Sequence, residues 1–248
     1  MSTVPIDLGD RLVVDRRAWI LLFNTFISAE GGMMSLAFSK TFEKYEALVA
    51  QADKIFAAVQ ESHQDCVSCK THCSDCCYAV FDLTLIESVY VNYHFNRSLT
   101  RKERRPIIRR ADKADRQYYR IKQKLQKMYI EKGKPSEEVF YQLAQERVRC
   151  PLLNDEDLCD LYVRRPITCR VYGIPTSIGG KTHTCEISGF KEGIAYPTVN
   201  LDKMNDRLFE LSEELVKEIG ATRSKIQLGL VPLSAVLTTD YDEQYFLV

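Results

Sequence analysis

The residues with the clearest chemical potential are nine cysteines, which lie in two groups along the 248-residue chain. Five fall within twelve residues of one another, and four follow far downstream. They are Cys66, Cys69, Cys73, Cys76 and Cys77, then Cys150, Cys159, Cys169 and Cys185. Cysteine used as core filler would be scattered along apolar helix faces. Thiols clustered at polar, turn-rich positions, with none in a predicted helix, indicate metal ligation.

The spacing within the first group is typical of a thiolate site. Cys66 and Cys69 are separated by two residues, as are Cys73 and Cys76, so tight turns can aim each pair at tetrahedral zinc or at an iron-sulfur cluster. The side chains of the adjacent residues Cys76 and Cys77 are expected to point in different directions. This fits a polynuclear cluster or two separate sites better than one metal ion. Eight or nine thiols predict two centres, or one centre with free cysteines. Redox-active or merely buried thiols are the alternative interpretation.

Histidine and arginine side chains near these cysteines are further candidates. His63, His72 and His183 can supply nitrogen ligands, or they are solvated loop imidazoles and donors to the ligands. Three arginines flank Cys169, and Arg165 and Arg170 among them are predicted to contact the cofactor and offset its negative charge. The third is Arg164, and the alternative partners of all three are Asp155, Asp157 and Asp160.

Amphipathic helices must position the two cysteine groups. Apolar residues spaced by three and four predict helices over residues 35–62, 85–94, 101–132, 137–147 and 201–219. Thr84 with Glu87, and Thr100 with Glu103, have the capping-box spacing of helix starts. Asn200 is a predicted N-cap. Pro106 is compatible with a helix only if it falls in the first turn.

The fold class predicted from these elements is mainly α. We expect a single compact helical domain with a loop-built cysteine site, because residues 150–198 are rich in glycine and proline. The division is a lead segment at 1–34, a helical metal-binding domain at 35–225 and a tail at 226–248.

The N-terminal sequence indicates the compartment. Residues 1–17 contain acidic and basic residues rather than the pattern of a secretory signal. The longest nearby apolar run, from Ala18 to Phe26, is much shorter than the roughly 20 residues of a membrane span. We therefore expect a cytoplasmic protein without a membrane span, in which thiols stay reduced.

Three stretches of the chain resemble the signature of the CxxCxxCC family, also called YkgJ-like. Residues from Cys150 to Leu153, Cys159 to Tyr162 and Arg165 to Tyr172 are similar to C-P-[FL]-L, then C-x-[IVL]-Y-x-x-R-P-x-x-C-R-x-[FY]. Leu83-Thr84 followed by Glu87 resembles the L-T-x-x-E of that family. Its members are described as zinc- or iron-chelating or iron-sulfur proteins. The resemblance implies a metal site formed between the two cysteine regions, with no agreed reaction.

The first cysteine group departs from the family pattern C-x2-C-x2-C-C. Cys73, Cys76 and Cys77 match the last three thiols, but Cys69 lies one residue too far upstream and Cys66 is additional. The relative roles of Cys66 and Cys69 therefore stay open in the sequence.

A strongly basic segment is the second notable feature, although the formal net charge is zero. From Arg97 to Lys134 there are fifteen Lys or Arg residues against four acids. This segment can bind phosphate backbones or an acidic partner protein. The interpretation that we favour from the sequence is a solvated helix face that pairs with the acidic helix predicted at 201–219, because the overall charge is balanced whereas nucleic-acid-binding domains are usually net basic.

Two functions follow from these features. The first is an iron-sulfur protein that serves electron transfer or an oxidoreductase partner, with the eight cysteines other than Cys66 as ligands. The second is a zinc-stabilised binding or adaptor module that contacts a protein or nucleic acid through its basic helix. A protein partner is expected in either case, and thiolate ligands suit both metals.

Overall fold

The computed structural model describes residues 38–130, 142–143, 145–223 and 225–248. Over these residues the chain is mainly helical, which confirms the predicted fold class. The helices are α1 (Ser39–Ser62), α2 (Leu85–Ser98), α3 (Arg101–Ile130), α4 (Ile167–Val171), α5 (Leu201–Glu218), α6 (Leu233–Val236) and α7 (Glu243–Phe246). The lead segment and most of the helix expected at 137–147 lie outside the described residues, while residues 142, 143 and 145 are helical.

Short strands tie the connecting loops together. They are β1 (Asp82–Leu83), β2 (Thr176–Ile178), β3 (Lys181–His183), β4 (Val199–Asn200) and β5 (Val231–Pro232). β1 pairs antiparallel with β5, while β2 pairs antiparallel with β3 and parallel with β4. Short 3-10 turns occur at Asp75–Tyr78, Tyr162–Arg164 and Ile226–Leu228. The strands therefore fix loops near the cysteines rather than forming a layer of the fold.

The predicted capping residues begin the helices. Thr84 and Glu87 form a capping box at the start of α2. Before α3, the Thr100 amide donates to the Glu103 carboxylate at 2.7 Å. The Asn200 side chain accepts the Lys203 amide at 3.0 Å and begins α5. Local sequence therefore determines where these three helices start.

Pro106 lies deeper in α3 than expected. The helix begins at Arg101, so Pro106 is its sixth residue and falls in the second turn. The missing amide leaves the Lys102 carbonyl without its helical donor. Both residues are exposed, so water can satisfy that carbonyl and the helix continues.

The main core forms where α1, α2 and α5 pack together. Tyr45, Tyr90, Leu211 and Leu215 are almost fully buried in it. A second apolar cluster joins α2 and α3 to the loop after Cys150 and to α6. None of the described helices has the length and apolar character needed to span a membrane.

The C-terminal segment packs against the helices. The Asn92 side chain of α2 donates to the carbonyls of Val236 and Thr239 at 2.8 and 2.9 Å. Phe246 is fully buried in the main core. The division of the chain at residue 225 stays a prediction.

The acidic helix α5 pairs with α1, so the expected pairing with the basic helix is wrong. Glu214 forms an ion pair with Lys44 at 2.5 Å, and Glu218 accepts the Thr41 amide at 3.0 Å and also its hydroxyl. Packing of α5 on α1 brings these groups together, while α3 packs on α6.

Helix α4 was expected to be loop, because it lies in the glycine- and proline-rich region. It carries Cys169 and begins after Pro166. Its first amide, at Ile167, donates to the Glu87 carboxylate at 3.0 Å. Glu87 is 3% exposed and also accepts from Thr84. Burial raises the pKa of Glu87 above its ordinary value of 4.5, against the opposing effect of these hydrogen bonds.

Removing the Glu87 carboxylate should destabilise the protein. Glu87→Ala leaves the buried Ile167 amide without an acceptor, so we expect the free energy of unfolding to fall by roughly 1–3 kcal/mol in urea titrations. The matched control is Glu43→Ala, at an exposed position of α1, which should change it by less than about 0.5 kcal/mol. Equal effects of the two substitutions would contradict this role.

The raised pKa of Glu87 also predicts a pH dependence. The folded state holds the proton more tightly than the unfolded state, so stability should fall as the pH rises from about 4.5 through the folded pKa. Glu87→Gln keeps an oxygen acceptor for Ile167 without a buried charge. Its unfolding free energy should lose this slope, and an unchanged pH profile would show that Glu87 does not cause it.

Candidate metal centre

Eight of the nine cysteines line one cavity of about 490 Å³. They are Cys69, Cys73, Cys76, Cys77, Cys150, Cys159, Cys169 and Cys185. All nine cysteines are free thiols. The fold therefore brings both cysteine groups to one place, and it does so for the same eight that the sequence singled out as preferred ligands.

Cys66 lies outside this lining. Its side chain packs against the main core, and its carbonyl accepts the Gly189 amide at 2.8 Å. A Cβ on Gly189 would come within 3.0 Å of the Cys66 Cα, so the two backbones are in close contact. Cys66 thus joins the end of α1 to the loop after Cys185.

Backbone pairing brings the two cysteine groups together. The Cys150 amide donates to the Cys77 carbonyl at 2.7 Å, and the Val148 amide donates to the Tyr78 carbonyl at 3.0 Å. The thiols of Cys76, Cys77 and Cys150 all line the cavity at this contact. This short antiparallel contact therefore places thiols from both groups side by side.

A tight turn brings Cys159 back toward Cys150. The Asn154 side-chain oxygen accepts the amides of Glu156 and Leu158, each at 3.0 Å. The Asn154 amide donates to the Leu158 carbonyl at 2.9 Å. Asparagine favours such turns because its side chain can replace a backbone acceptor. The turn thus returns the chain so that both cysteines face the cavity.

Gly173 makes room for Cys69. A Cβ built on Gly173 would overlap the Cys69 sulfur and lie 3.4 Å from the Phe56 ring. Gly173 follows α4, which carries Cys169, so this contact joins the first cysteine loop to the second group. The role of Gly173 was not predicted from the sequence, because Cys69 lies about a hundred residues before it in the chain.

Asp75 gathers donors from three distant parts of the chain. Its carboxylate accepts from the Arg147 guanidinium, from the Tyr172 hydroxyl at 2.9 Å and from the Cys185 thiol at 3.3 Å. Burial alone would raise the pKa of Asp75, but these hydrogen bonds outweigh burial and lower it. This network was not predicted from the sequence, although the position of Asp75 between Cys73 and Cys76 was a signal of it.

Burial and the proximity of other thiols raise the pKa values of several cavity cysteines. The pKa of Cys69 rises to about 11, mainly through burial and then through Cys73 and Cys76. The hydrogen bond to Cys150 is the largest influence that raises the pKa of Cys77 to about 12. These thiols hold their protons at neutral pH, so metal binding must release protons.

Arg165 is one of four cations that line the cavity, with Lys70, Arg149 and Arg170. Its buried Nε atom has no hydrogen-bond partner, and its guanidinium carbon lies 4.0 Å from the centre of the Tyr162 ring. Its charge lowers the pKa values of Cys69 and Cys76, against the larger effects that raise them. An unpartnered buried donor beside thiols is suited to an anionic centre.

Arg170 also borders the cavity, but protein groups occupy its guanidinium. Its Nε donates to the Arg165 carbonyl at 2.9 Å, Nη1 pairs with Asp53 at 2.7 Å and Nη2 donates to the Val163 carbonyl. Arg164 pairs with Glu46 at 2.8 Å. The pairings that the sequence suggested with the aspartates at 155, 157 and 160 are therefore replaced by contacts with α1.

The three histidines considered as ligands lie in different surroundings. His72 lines the cavity, and its Nδ1 is 2.9 Å from the Glu156 carbonyl. His63 packs edge-on against the Tyr196 ring, with the ring centres 5.4 Å apart. His183 is exposed on β3. Only His72 among them is placed near the thiols.

The cavity is larger than the space that one metal ion needs. Over the described residues, no three His, Cys, Asp or Glu side chains are arranged so that they could hold one metal ion. A single zinc ion requires sulfurs at about 2.3 Å, which would occupy a small part of a cavity of about 490 Å³. The arrangement leaves room for a group larger than one ion.

Comparison with known families supports a metal-chelating role. Residues 68–186 match the model of the CxxCxxCC family, which is described as a "Putative zinc- or iron-chelating domain". This confirms the resemblance seen in the sequence. Comparisons with curated proteins and with solved structures found no match. The matched range includes all eight cavity cysteines and excludes Cys66.

The contact between Gly173 and Cys69 can be tested by a double-mutant cycle. Gly173→Ala should overlap the Cys69 sulfur and lower the free energy of unfolding by roughly 1–3 kcal/mol. In a Cys69→Ala background the sulfur is gone, so the same substitution should cost clearly less. Urea unfolding of the four metal-free proteins measures both costs. An identical cost in the two backgrounds would rule out the contact as its cause.

Proposed function

We propose that the eight cavity cysteines are the ligands of a metal-thiolate centre, in keeping with the match of residues 68–186 to the CxxCxxCC family model. One observation carries this proposal. Cysteines from both groups, far apart in the chain, line a single cavity, whereas Cys66 does not. The thiolate donor set is suited to zinc, to iron and to iron-sulfur clusters.

An iron-sulfur group is the form of this centre that we favour. A tetrahedral zinc ion takes four ligands, and eight thiols line the cavity. Adjacent Cys76 and Cys77 suit corners of a polynuclear group better than one ion. The cavity of about 490 Å³ supports the same choice. A pair of structural zinc ions is the alternative.

Arg165 supports an anionic occupant. Four thiolates on iron or zinc give a negative site, which nearby donors stabilise. The buried and unpartnered Nε of Arg165 is available for this purpose. Arg170 would act indirectly, because its Nε donates to the Arg165 carbonyl and holds that backbone in place.

The proposed role is electron transfer to an oxidoreductase partner protein. An iron-sulfur group supplies one-electron chemistry when bound. Leu158 and Tyr162 line the cavity and are 36% and 59% exposed, and Val163, the next residue along the chain, is 72% exposed. Apolar residues exposed around a site are suited to a protein partner. Nine free thiols support a reducing compartment such as the cytoplasm.

The direct test is the content of iron, zinc and acid-labile sulfide per chain in protein purified without oxygen, with its visible absorption spectrum. We expect iron and sulfide in matching amounts and a broad charge-transfer band, because the ligands are thiolates. Zinc without sulfide or colour would replace the iron-sulfur proposal with the zinc-stabilised module. Absence of bound metal would overturn both.

Paired cysteine substitutions test the ligand set. Cys169→Ser should lower the metal content and destabilise residues 150–190, because Cys169 lines the cavity. Cys66→Ser is the matched control, since its thiol lies outside the lining, and it should retain the metal. Metal content and hydrogen exchange of the two proteins measure these effects. Equal metal loss would remove the distinction between the two cysteines.

A further inference from the structure

The outer face of α3 is a continuous band of cations. We call it the basic stripe, and its members lie three, four or seven residues apart along the helix. They are Lys102, Arg105, Arg109, Lys113, Arg116, Arg120 and Lys127. All seven are exposed. At 100° per residue they fall within an arc of about 80°, and at 1.5 Å per residue they extend over about 37 Å.

The opposite face of α3 is buried. Ile107, Ala111, Tyr118 and Leu125 are almost inaccessible to solvent. Apolar residues therefore attach the helix to the protein along its length, and the stripe is presented outward on a fixed support. This arrangement excludes a helix that lies in a membrane surface, because such a helix needs its apolar face free.

Cations beside the stripe have partners within the protein. Arg110 pairs with Asp160 at 2.9 Å, Lys122 with Asp82 at 3.0 Å and Lys124 with Glu146 at 2.9 Å. Among the residues that the structure describes, none of the seven stripe side chains has such a partner. The fold thus pairs the flanking cations with carboxylates and leaves the charges of the basic stripe without ion pairs.

The acids of α3 do not neutralise the stripe. Glu103 caps the helix through Thr100, and Asp115 accepts from the Ser234 hydroxyl at 3.2 Å. Asp112 is exposed at the edge of the stripe. Like charges three or four residues apart repel each other, so the stripe weakens the isolated helix. A ligand with negative charges would remove this repulsion.

We propose that the basic stripe binds the phosphate backbone of double-stranded nucleic acid. Phosphate contacts require cations and little else. Protein interfaces are depleted of lysine and have apolar centres, whereas the stripe itself contains no apolar side chain. Single-strand sites use several exposed aromatic rings for base stacking, whereas the exposed ring of Tyr119 lies beside the stripe and outside its arc. A duplex backbone is therefore the ligand that this surface fits best.

The binding is sequence-independent and local. The chain has a formal net charge of zero, so no long-range positive field draws a polyanion to it. At 0.1 M salt the Debye length is about 10 Å, and the stripe acts on phosphates within that distance. Each phosphate contact releases counterions, which makes affinity depend steeply on salt.

The test is fluorescence anisotropy of the metal-loaded protein with a labelled 24-base-pair DNA duplex between 50 and 200 mM salt. The variant Arg105→Gln, Arg109→Gln, Arg116→Gln and Arg120→Gln removes four stripe charges. We expect it to reduce the slope of log affinity against log salt by roughly 3–4 and to weaken binding at least about tenfold at 100 mM salt.

A matched variant controls for net charge. It replaces four exposed lysines away from the stripe, Lys54, Lys191, Lys203 and Lys217, by glutamine. It should retain the wild-type affinity and slope. Equal weakening by both variants, or no duplex binding by the wild type, would overturn the proposal. Stripe-dependent binding of polyglutamate or single-stranded DNA in preference to the duplex would overturn it in favour of an acidic protein or a single strand.

Discussion

A single buried carboxylate connects the two cysteine regions. The Glu87 carboxylate accepts a hydrogen bond from the Thr84 amide at the start of α2. It also accepts one from the first amide of α4, the helix that carries Cys169. Because an unpaired buried amide is costly, α4 is held where the carboxylate is. The same carboxylate is itself destabilised by burial when charged, so its position is supported only by these donors. Removal of either partner leaves the other unsatisfied.

The rest of the site depends on contacts of the same kind. The Cys77 carbonyl and the Cys150 amide join the groups through backbone, whereas Gly173 joins them by leaving space for the Cys69 sulfur. The Asp75 carboxylate joins further parts of the chain by accepting hydrogen bonds from three distant donors. Two of these contacts use the cysteine backbone or the space beside a sulfur, and the third engages the Cys185 thiol. The protein therefore positions the thiols mainly through their neighbours.

Local signals predicted the part of the fold that local interactions determine. The capping boxes at Thr84 and Thr100 and the apolar spacing identified the long helices because these depend on residues a few positions apart. The two cysteine groups were recognisable by residue type. Asp75 and Gly173 were not, because their partners lie about a hundred residues away. Arg165 and Arg170 looked equivalent in sequence, and only the path of the backbone directs one to the thiols and the other to α1.

Helix α3 separates the two candidate functions by its two faces. Ala114 and Tyr118, on the inner face, line the cysteine cavity, and they contribute no cation to it. The basic stripe is on the outer face, and none of its seven residues lines the cavity. The proposed metal centre and the proposed polyanion surface thus lie on one helix without sharing a side chain. Substitutions on the stripe leave the cavity lining intact, so loss of one function does not require loss of the other.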